Sequence, residues 1–303
     1  MSALPQDDGA LALAVADLPN GVSLHYERQK PARPAASPGA EVALIFIHGV
    51  MGDWRSWDPQ WDHFTPEHEC VRYSRRYNYP NRNSLPSPHH SALHEAEDLS
   101  LFMDHLGLAR AILVGSSYGS FTALALAVQQ PQRCAALALS EPPMMRYADL
   151  SEAGRQAKAA FYAQSIEPAN AAFRAGRDDE GARIMTQGIN GAAAPVLTPA
   201  AMQRRLQNVQ AMKTLALSTD EFPWLSPEQL ARLSMPILLM AGQRTPVIHA
   251  EIFRNVCQAM PQAEIQWIND AGHGTSRDNP ARFNEVVSSF LEAHGFRANQ
   301  EIG

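Results

Sequence analysis

One short motif constrains the fold of this chain more than any other feature. The motif Gly115-x-Ser117-x-Gly119 lies between residues 111–114, an apolar run typical of a buried strand, and residues 121–130, which have the pattern of a helix. A serine in this position can occupy a strand-to-helix turn that is too tight for a side chain at either glycine. The start of the helix directs backbone N–H groups and the positive end of its dipole toward the hydroxyl. The motif therefore predicts Ser117 as a nucleophile.

Strand-like and helix-like segments alternate along the chain. Residues 1 to about 18 are interpreted as a loose lead-in, and residues 30–40 and 75–90 as loops. The predicted strands are 21–27, 42–47, 70–74, 111–114, 135–139, 237–241 and 264–268, and the predicted helices between them begin near residue 56 and cover 91–106, 121–130, 249–259 and 280–294. Unbroken apolar runs of strand length indicate strands covered by helices on both faces. The alternation predicts an α/β fold with a doubly wound, mostly parallel sheet.

A long helical block interrupts this alternation. Its predicted helices are 151–173, 178–187, 199–217 and 227–233, and they fall between two consecutive predicted strands. We interpret the block as a helical cap inserted into the sheet domain. The predicted division is a core of residues 1–141 and 234–303 and a cap of residues 142–233.

A serine hydroxyl needs a base before it can act as a nucleophile at neutral pH, and the base is most often an imidazole held by a carboxylate. His273 is the predicted base, because it lies in a glycine-flanked turn after the last predicted strand and follows Ser117 in the chain. His48 also stands at a strand end. We interpret His48 as a structural residue of its glycine-rich turn, with a role as the base as the alternative.

Three short segments make the chain resemble a known family. It resembles the α/β-hydrolase-fold serine hydrolases at His48-Gly49, at Gly115-x-Ser117-x-Gly119 and at Gly272-His273. The resemblance extends over nearly the whole chain apart from the cap. It implies an oxyanion hole formed by the backbone N–H groups of Val50 and Tyr118. The acyl-enzyme mechanism that follows needs no cofactor.

The catalytic acid is where this sequence departs from the commonest pattern of that family. The pattern places an aspartate after the strand that corresponds to residues 237–241, but residues 242–246 read Gly-Gln-Arg-Thr-Pro. Some members of the fold carry the acid after the preceding strand, and Glu141 stands at that position here. We therefore predict Glu141 as the acid that orients His273. Asp270 is the second choice, disfavoured because it lies in the same turn as His273.

The predicted activity is hydrolysis of a carboxylic ester of a small to medium hydrophobic substrate. In the cap, Met144, Met145 and Trp224 are predicted to contact that substrate, since flexible methionines adapt to varied apolar shapes. Serine at the nucleophile position argues against dehalogenase and epoxide-hydrolase chemistry. A lactonase, an amidase and a C–C bond hydrolase remain as alternatives with the same three residues, and so does a ligand-binding homologue without activity.

Composition and charge also limit the partners and the cellular location that we expect for this protein. The formal net charge of −6 argues against a nucleic-acid partner. Three widely spaced cysteines indicate reduced thiols and, with no secretory leader or membrane span in the sequence, a cytoplasmic protein. The arginines at 72, 75, 76 and 82 are interpreted as a solvated loop, and the histidines at 90 and 94 as a surface pair rather than a metal site. The sequence leaves the oligomeric state open.

Overall fold

A single sheet organises the computed structural model, which describes residues 13–31, 42–84 and 88–296. Its strands are β1 Ala14–Asp17, β2 Ser23–Gln29, β3 Leu44–Ile47, β4 Cys70–Tyr73, β5 Ala111–Ser116, β6 Cys134–Ser140, β7 Ile237–Gly242 and β8 Glu264–Ile268. Their order across the sheet is β1-β2-β4-β3-β5-β6-β7-β8. The β1–β2 and β2–β4 pairs are antiparallel, and the other pairs are parallel. The predicted doubly wound, mostly parallel sheet is confirmed.

Helices follow most of the strands and fill the segment between β6 and β7. They are α1 Asp58–Phe64, α2 Ala92–His105, α3 Tyr118–Gln129, α4 Glu152–Phe161, α5 Glu167–Arg174, α6 Asp178–Asn190, α7 Pro199–Gln207, α8 Val209–Ala216, α9 Pro227–Ala231, α10 Val247–Ala259, α11 Thr275–Asp278 and α12 Pro280–Ala293. Short 3₁₀ helices cover Trp54–Trp57, Pro131–Arg133 and Met145–Leu150. In the described residues, no helix has the length and apolar character needed to cross a bilayer.

The core lies on both faces of the sheet, because successive side chains of a strand point to opposite sides. On β3, Leu44 and Phe46 pack into one hydrophobic cluster with residues of α1 and α12. Ile45 and Ile47 pack into a second cluster with residues of α2, α3 and α10. All four side chains are fully buried, which explains the unbroken apolar run in the sequence.

Two long predicted helices are interrupted in the structure. The first is divided into α4 and α5 by a π-helical turn, Tyr162–Ile166. Pro168, the second residue of α5, has no N–H to give to a carbonyl one turn earlier, so regular α-helical bonding cannot run through it. The second is divided at Asn208, whose side chain accepts a hydrogen bond from the Tyr79 N–H and donates one to Asp53. The division of the chain into core and cap stays a prediction.

Some sequence interpretations are wrong. The supposed lead-in contains β1, which pairs antiparallel with β2. The supposed solvated arginines at 72, 75 and 76 are less than a tenth exposed. Arg75 forms an ion pair with Glu95, and Arg76 forms one with Asp98 at 2.6 Å. His90 is buried rather than on the surface, and its Nε2 lies 2.9 Å from the Glu95 carboxylate.

Candidate active site

Ser117 stands at the turn between β5 and α3 in a strained backbone conformation. Its φ of 52° lies in the left-handed region that side chains rarely adopt. A Cβ at Gly115 would come within 2.6 Å of the Ser120 Cα, and one at Gly119 would overlap the carbonyl of Ile47. The two glycines therefore allow α3 to start directly behind Ser117, as the motif predicts.

The structure brings the three predicted catalytic side chains into one hydrogen-bonded chain. His273 follows β8 and precedes α11, and its Nε2 lies 2.9 Å from Ser117 Oγ. Its Nδ1 lies 2.6 Å from the Oε2 of Glu141. The three residues come from the ends of three parallel strands, which meet at one edge of the sheet. This is the arrangement in which an imidazole can take a proton from a hydroxyl while a carboxylate holds the ring.

Glu141 is held in place by the loop in which the commonest family pattern would place the acid. Its Oε1 accepts a hydrogen bond from the Gly242 N–H at 2.8 Å, and its Oε2 accepts one from the Thr245 hydroxyl at 2.7 Å. The Glu141 backbone is also left-handed, with φ 42°. Burial raises the pKa of its carboxyl to about 7, against the opposing effects of His249, Thr245 and Gly242. The end of β7 and the loop after it thus supply hydrogen-bond donors to the acid that follows β6.

Asp270, the alternative acid, and His48, the alternative base, take no part in the hydrogen bonds that join Ser117, His273 and Glu141. The Asp270 side chain is 73% exposed, with a carboxylate oxygen 3.7 Å from Arg244 rather than at the His273 imidazole. His48 is fully buried, and its two ring nitrogens contact backbone groups. Nδ1 lies 2.8 Å from the Gly49 carbonyl, and Nε2 accepts the Arg75 N–H at 3.0 Å. His48 therefore shapes its turn.

The two residues predicted to form the oxyanion hole, Val50 and Tyr118, lie beside Ser117. Both residues line a cavity with Ser117 and His273. Within the described residues, neither N–H donates to a protein acceptor. Asn78 fixes the Val50 turn by donating to its carbonyl at 3.0 Å. Two free N–H groups beside a serine hydroxyl are what an oxyanion requires.

The space around Ser117 has two parts. The first, here called the inner cavity, has a volume of about 40 Å³ and is lined mainly by apolar side chains: Val50, Tyr118, Pro143, Met145, Phe161, Ile166, Met185, Ile189, Met212 and Phe222. The second, here called the outer cleft, has a volume of about 520 Å³ and is lined by residues of the His48 turn, α7 and the His273 turn. Ser117 and His273 line both parts.

Of the cap residues predicted to contact substrate, Met145 lines the inner cavity. Met144 is buried but lines neither part of the site. Trp224 is 37% exposed and packs on the Tyr147 ring at a centroid distance of 5.1 Å. The structure therefore brings one of these three side chains to Ser117.

Sequence reasoning missed a second imidazole at the site. His249, in the first turn of α10, stacks on the His273 ring at a centroid distance of 3.9 Å and an angle of 21°. Its Nε2 lies 3.1 Å from the Ile189 carbonyl, and its buried Nδ1 has no hydrogen-bond partner among the described residues. Burial, with His273 beside it, lowers the pKa of His249 to about 3. Nothing in the local sequence signals this contact, because His249 does not follow a strand directly.

The arrangement of Glu141, His249 and His273 does not suit a metal ion, although one ligand atom from each lies within 4.8 Å of the others. An imidazole binds a metal through a lone pair in its ring plane, at about 2.0–2.1 Å for zinc. The two rings are stacked face to face, so their lone pairs point along parallel planes and cannot converge on one ion.

The electrostatic surroundings keep His273 neutral. Burial, together with the charges of Arg277 and Arg205, lowers its pKa to about 3. An uncharged imidazole with Nε2 near a hydroxyl can accept a proton. Arg205 and Arg277 were not singled out in the sequence, because their proximity to His273 depends on how α7 and α11 pack.

Comparison with known proteins agrees with this fold. Residues 42–280 match the family model for the alpha/beta hydrolase fold. The chain belongs to this family. Its recognition from the three sequence segments is thus confirmed, as is the fold class.

Relatives and solved structures cover most of the chain at low identity. The chain is 28% identical over 280 residues to the putative carbamate hydrolase RutD of Caulobacter vibrioides. The aligned region covers 89% of this chain and 95% of that relative. It is 27% identical over 255 residues to the sn-1-specific diacylglycerol lipase ABHD11 of Mus musculus, with 82% and 80% covered. The carboxylesterase CesB (YbfK) of Bacillus subtilis superposes with a TM-score of 0.69 at 19% identity, over 92% of this chain and 90% of that structure. The names of these three proteins refer to the hydrolysis of different chemical bonds.

Proposed function

We propose that this protein is a serine hydrolase that cleaves a carboxylic ester through an acyl-enzyme. The observation that carries the proposal is the hydrogen-bonded chain from Ser117 through His273 to Glu141, with distances of 2.9 and 2.6 Å. A serine on a strained turn, a neutral imidazole and a buried carboxylate in this order have the geometry of nucleophile, base and orienting acid. The carboxylesterase and lipase names among similar proteins agree with an ester substrate.

In the proposed mechanism, Ser117 Oγ attacks the ester carbonyl while His273 Nε2 takes the hydroxyl proton. The N–H groups of Val50 and Tyr118 stabilise the oxyanion, with each donor contributing about 3 kcal/mol. His273 then gives its proton to the leaving alcohol. A water molecule, deprotonated by His273, releases the acid from Ser117. Glu141 holds the imidazole throughout, and no step needs a cofactor.

The inner cavity supports a substrate with a small, largely apolar group on one side of the scissile bond. Its lining includes Met145, Met185 and Met212, whose flexible side chains adapt to varied shapes. Glu221 also lines it, but burial raises the pKa of this carboxyl to about 8, so it is mostly uncharged at neutral pH. The cavity thus presents little charge to the substrate. We propose a small-molecule substrate and a cytoplasmic location for the enzyme.

The test is the hydrolysis of p-nitrophenyl esters of increasing acyl length by wild type, Ser117→Ala, His273→Ala, Glu141→Gln and Asp270→Asn. We expect the two alanine variants to lose turnover, Glu141→Gln to lower kcat by roughly 10³–10⁴-fold, and Asp270→Asn to match wild type. Faster turnover of a lactone, an amide or a C–C substrate than of any ester would reassign the bond. An inactive wild type that binds the esters, and whose Ser117 does not react with a fluorophosphonate, would favour a ligand-binding protein.

A further inference from the structure

The outer cleft carries an excess of positive charge. Four arginines line it, Arg55, Arg204, Arg205 and Arg277, with two aspartates, Asp53 and Asp58. Both aspartates already pair with arginines, Asp53 with Arg55 at 2.6 Å and Asp58 with Arg72 at 2.6 Å. Arg277 pairs with Asp278 at 3.0 Å. The two aspartates that line the cleft therefore pair with other arginines, and neither pairs with Arg204 or Arg205 of α7.

Arg205 is the clearest of these unpaired cations. It lies near the end of α7, it is partly buried, and its guanidinium makes no hydrogen bond or ion pair with any described residue. Burial lowers its pKa to about 10, which still leaves it cationic at neutral pH. A charge removed from water without a partner is costly, and five N–H donors are left to be satisfied. Arg204, its neighbour in the cleft, is exposed to solvent.

Arg205 and Arg277 lie close to the reacting groups. A Cβ placed on Gly274, the residue after His273, would come within 2.5 Å of the Arg277 Nη2. The charges of Arg277 and Arg205 both act on His273 strongly enough to lower its pKa. The same cleft contains Ser117. An anionic group held there would lie next to the scissile bond.

We propose that Arg205, assisted by Arg277, binds a carboxylate carried by the substrate in the outer cleft. The inference rests on the proposed ester hydrolysis and names the chemical class of the substrate. A guanidinium presents a planar fork of donors that matches the two oxygens of a carboxylate. The apolar inner cavity would take the small uncharged end of the same molecule. The substrate is then an ester with a small apolar group on one side and a carboxylate on the other.

The test compares matched anionic and neutral esters. One pair carries the charge on the leaving group, 4-acetoxybenzoate and its methyl ester, and the other carries it on the acyl group, monophenyl adipate and methyl phenyl adipate. We expect wild type to prefer the anion in at least one pair by tenfold or more in kcat/KM. The preference should fall at least tenfold in Arg205→Gln and be partly kept in Arg205→Lys. Arg183→Gln, which removes an exposed charge from α6, should leave it unchanged.

A binding measurement makes the test independent of turnover. Calorimetry with Ser117→Ala and the ester pair that shows the preference should give the anionic ester at least tenfold tighter binding than its neutral partner, and Arg205→Gln introduced into that variant should abolish the difference. Equal affinities, or a preference for the anion that survives Arg205→Gln, would overturn the carboxylate site. Turnover of neutral esters without any preference would overturn it while leaving the hydrolase proposal intact. Failure of the wild-type enzyme to hydrolyse any of these esters would instead count against the proposed function.

Discussion

At the scale of single residues, Glu141 and His273 titrate as a pair, because a 2.6 Å hydrogen bond joins them. Burial raises the pKa of Glu141 to about 7, and burial with two arginines lowers the pKa of His273 to about 3. The reactive form, a carboxylate beside a neutral imidazole, therefore takes up its first proton near pH 7. We predict that kcat/KM for an uncharged ester falls as the pH drops below about 7. A pH–rate profile of the wild-type enzyme measures this.

Two variants should move this acid limb in opposite directions. Thr245→Val removes the hydroxyl whose hydrogen bond lowers the pKa of Glu141, so the limb should shift to higher pH. Glu141→Gln removes the titrating carboxyl and leaves His273 with its lowered pKa, so the residual activity should persist to lower pH. Asp270→Asn is the control and should match wild type. An acid limb that moves in neither variant would show that another group sets it.

At the scale of elements, a buried ion pair fixes the loop after β4 against α2 and α3. Glu95 of α2 pairs with Arg75 of the loop and accepts a hydrogen bond from Thr122 of α3 at 3.2 Å. Arg75 in turn lies 5.3 Å above the Tyr118 ring. We predict that Glu95→Leu lowers the free energy of unfolding by about 3–5 kcal/mol, because it leaves a buried guanidinium without its counter-charge. Urea denaturation followed by circular dichroism measures the change.

The double variant Arg75→Met/Glu95→Leu is the matched control for this prediction. Both charges are then gone and apolar side chains fill much of the space, so most of the stability should return. A double variant as unstable as the sum of its single variants would mean that packing, rather than the unpaired charge, accounts for the loss.

Elements were predictable where their sequence pattern is local. The apolar runs of β3, β5, β6 and β7 are fully or almost fully buried, so the unbroken apolar run of strand length marks each of them in the sequence. β1 is four residues long with one buried side chain, Ala16, and it exists because its backbone pairs with β2. The burial of Arg75 was equally hidden, since its partner lies 20 positions further along the chain. The structure at β1 and at Arg75 depends on contacts with residues elsewhere in the chain, which the local sequence pattern does not show.

At the scale of the whole molecule, the site combines local sequence signals with contacts made by α10 and by the segment between β6 and β7. Glycine turns mark Ser117 and His273 in the sequence, and the missing aspartate after β7 points to Glu141. Their catalytic roles stay predictions, although the structure joins the three side chains. His249 and Arg205 could not be found in this way. His249 reaches the site because α10 packs there, and Arg205 because α7 does. The sequence of a helix indicates which of its faces is apolar, but not where the helix packs.

Helices between β6 and β7 also line the inner cavity, which leads to a prediction about substrate length. Met185 of α6 is 2% exposed and lines the cavity, whereas Met144 is equally buried but lines neither part of the site. We predict that Met185→Ala shifts the preferred acyl group of the ester series to a longer chain, because the removed atoms leave space beside Ser117. It should also cost about 2–5 kcal/mol of unfolding free energy.

Met144→Ala separates the two effects of that substitution. Because it removes the same atoms from an equally buried position, it should lower the free energy of unfolding within the same range. Its preferred acyl length should remain that of wild type, since the new space does not open beside Ser117. Initial rates across the ester series, measured for both variants at a temperature where each is folded, give the comparison. An optimum that moves equally in both variants would mean that general loosening of the fold, rather than the shape of the inner cavity, selects the acyl chain.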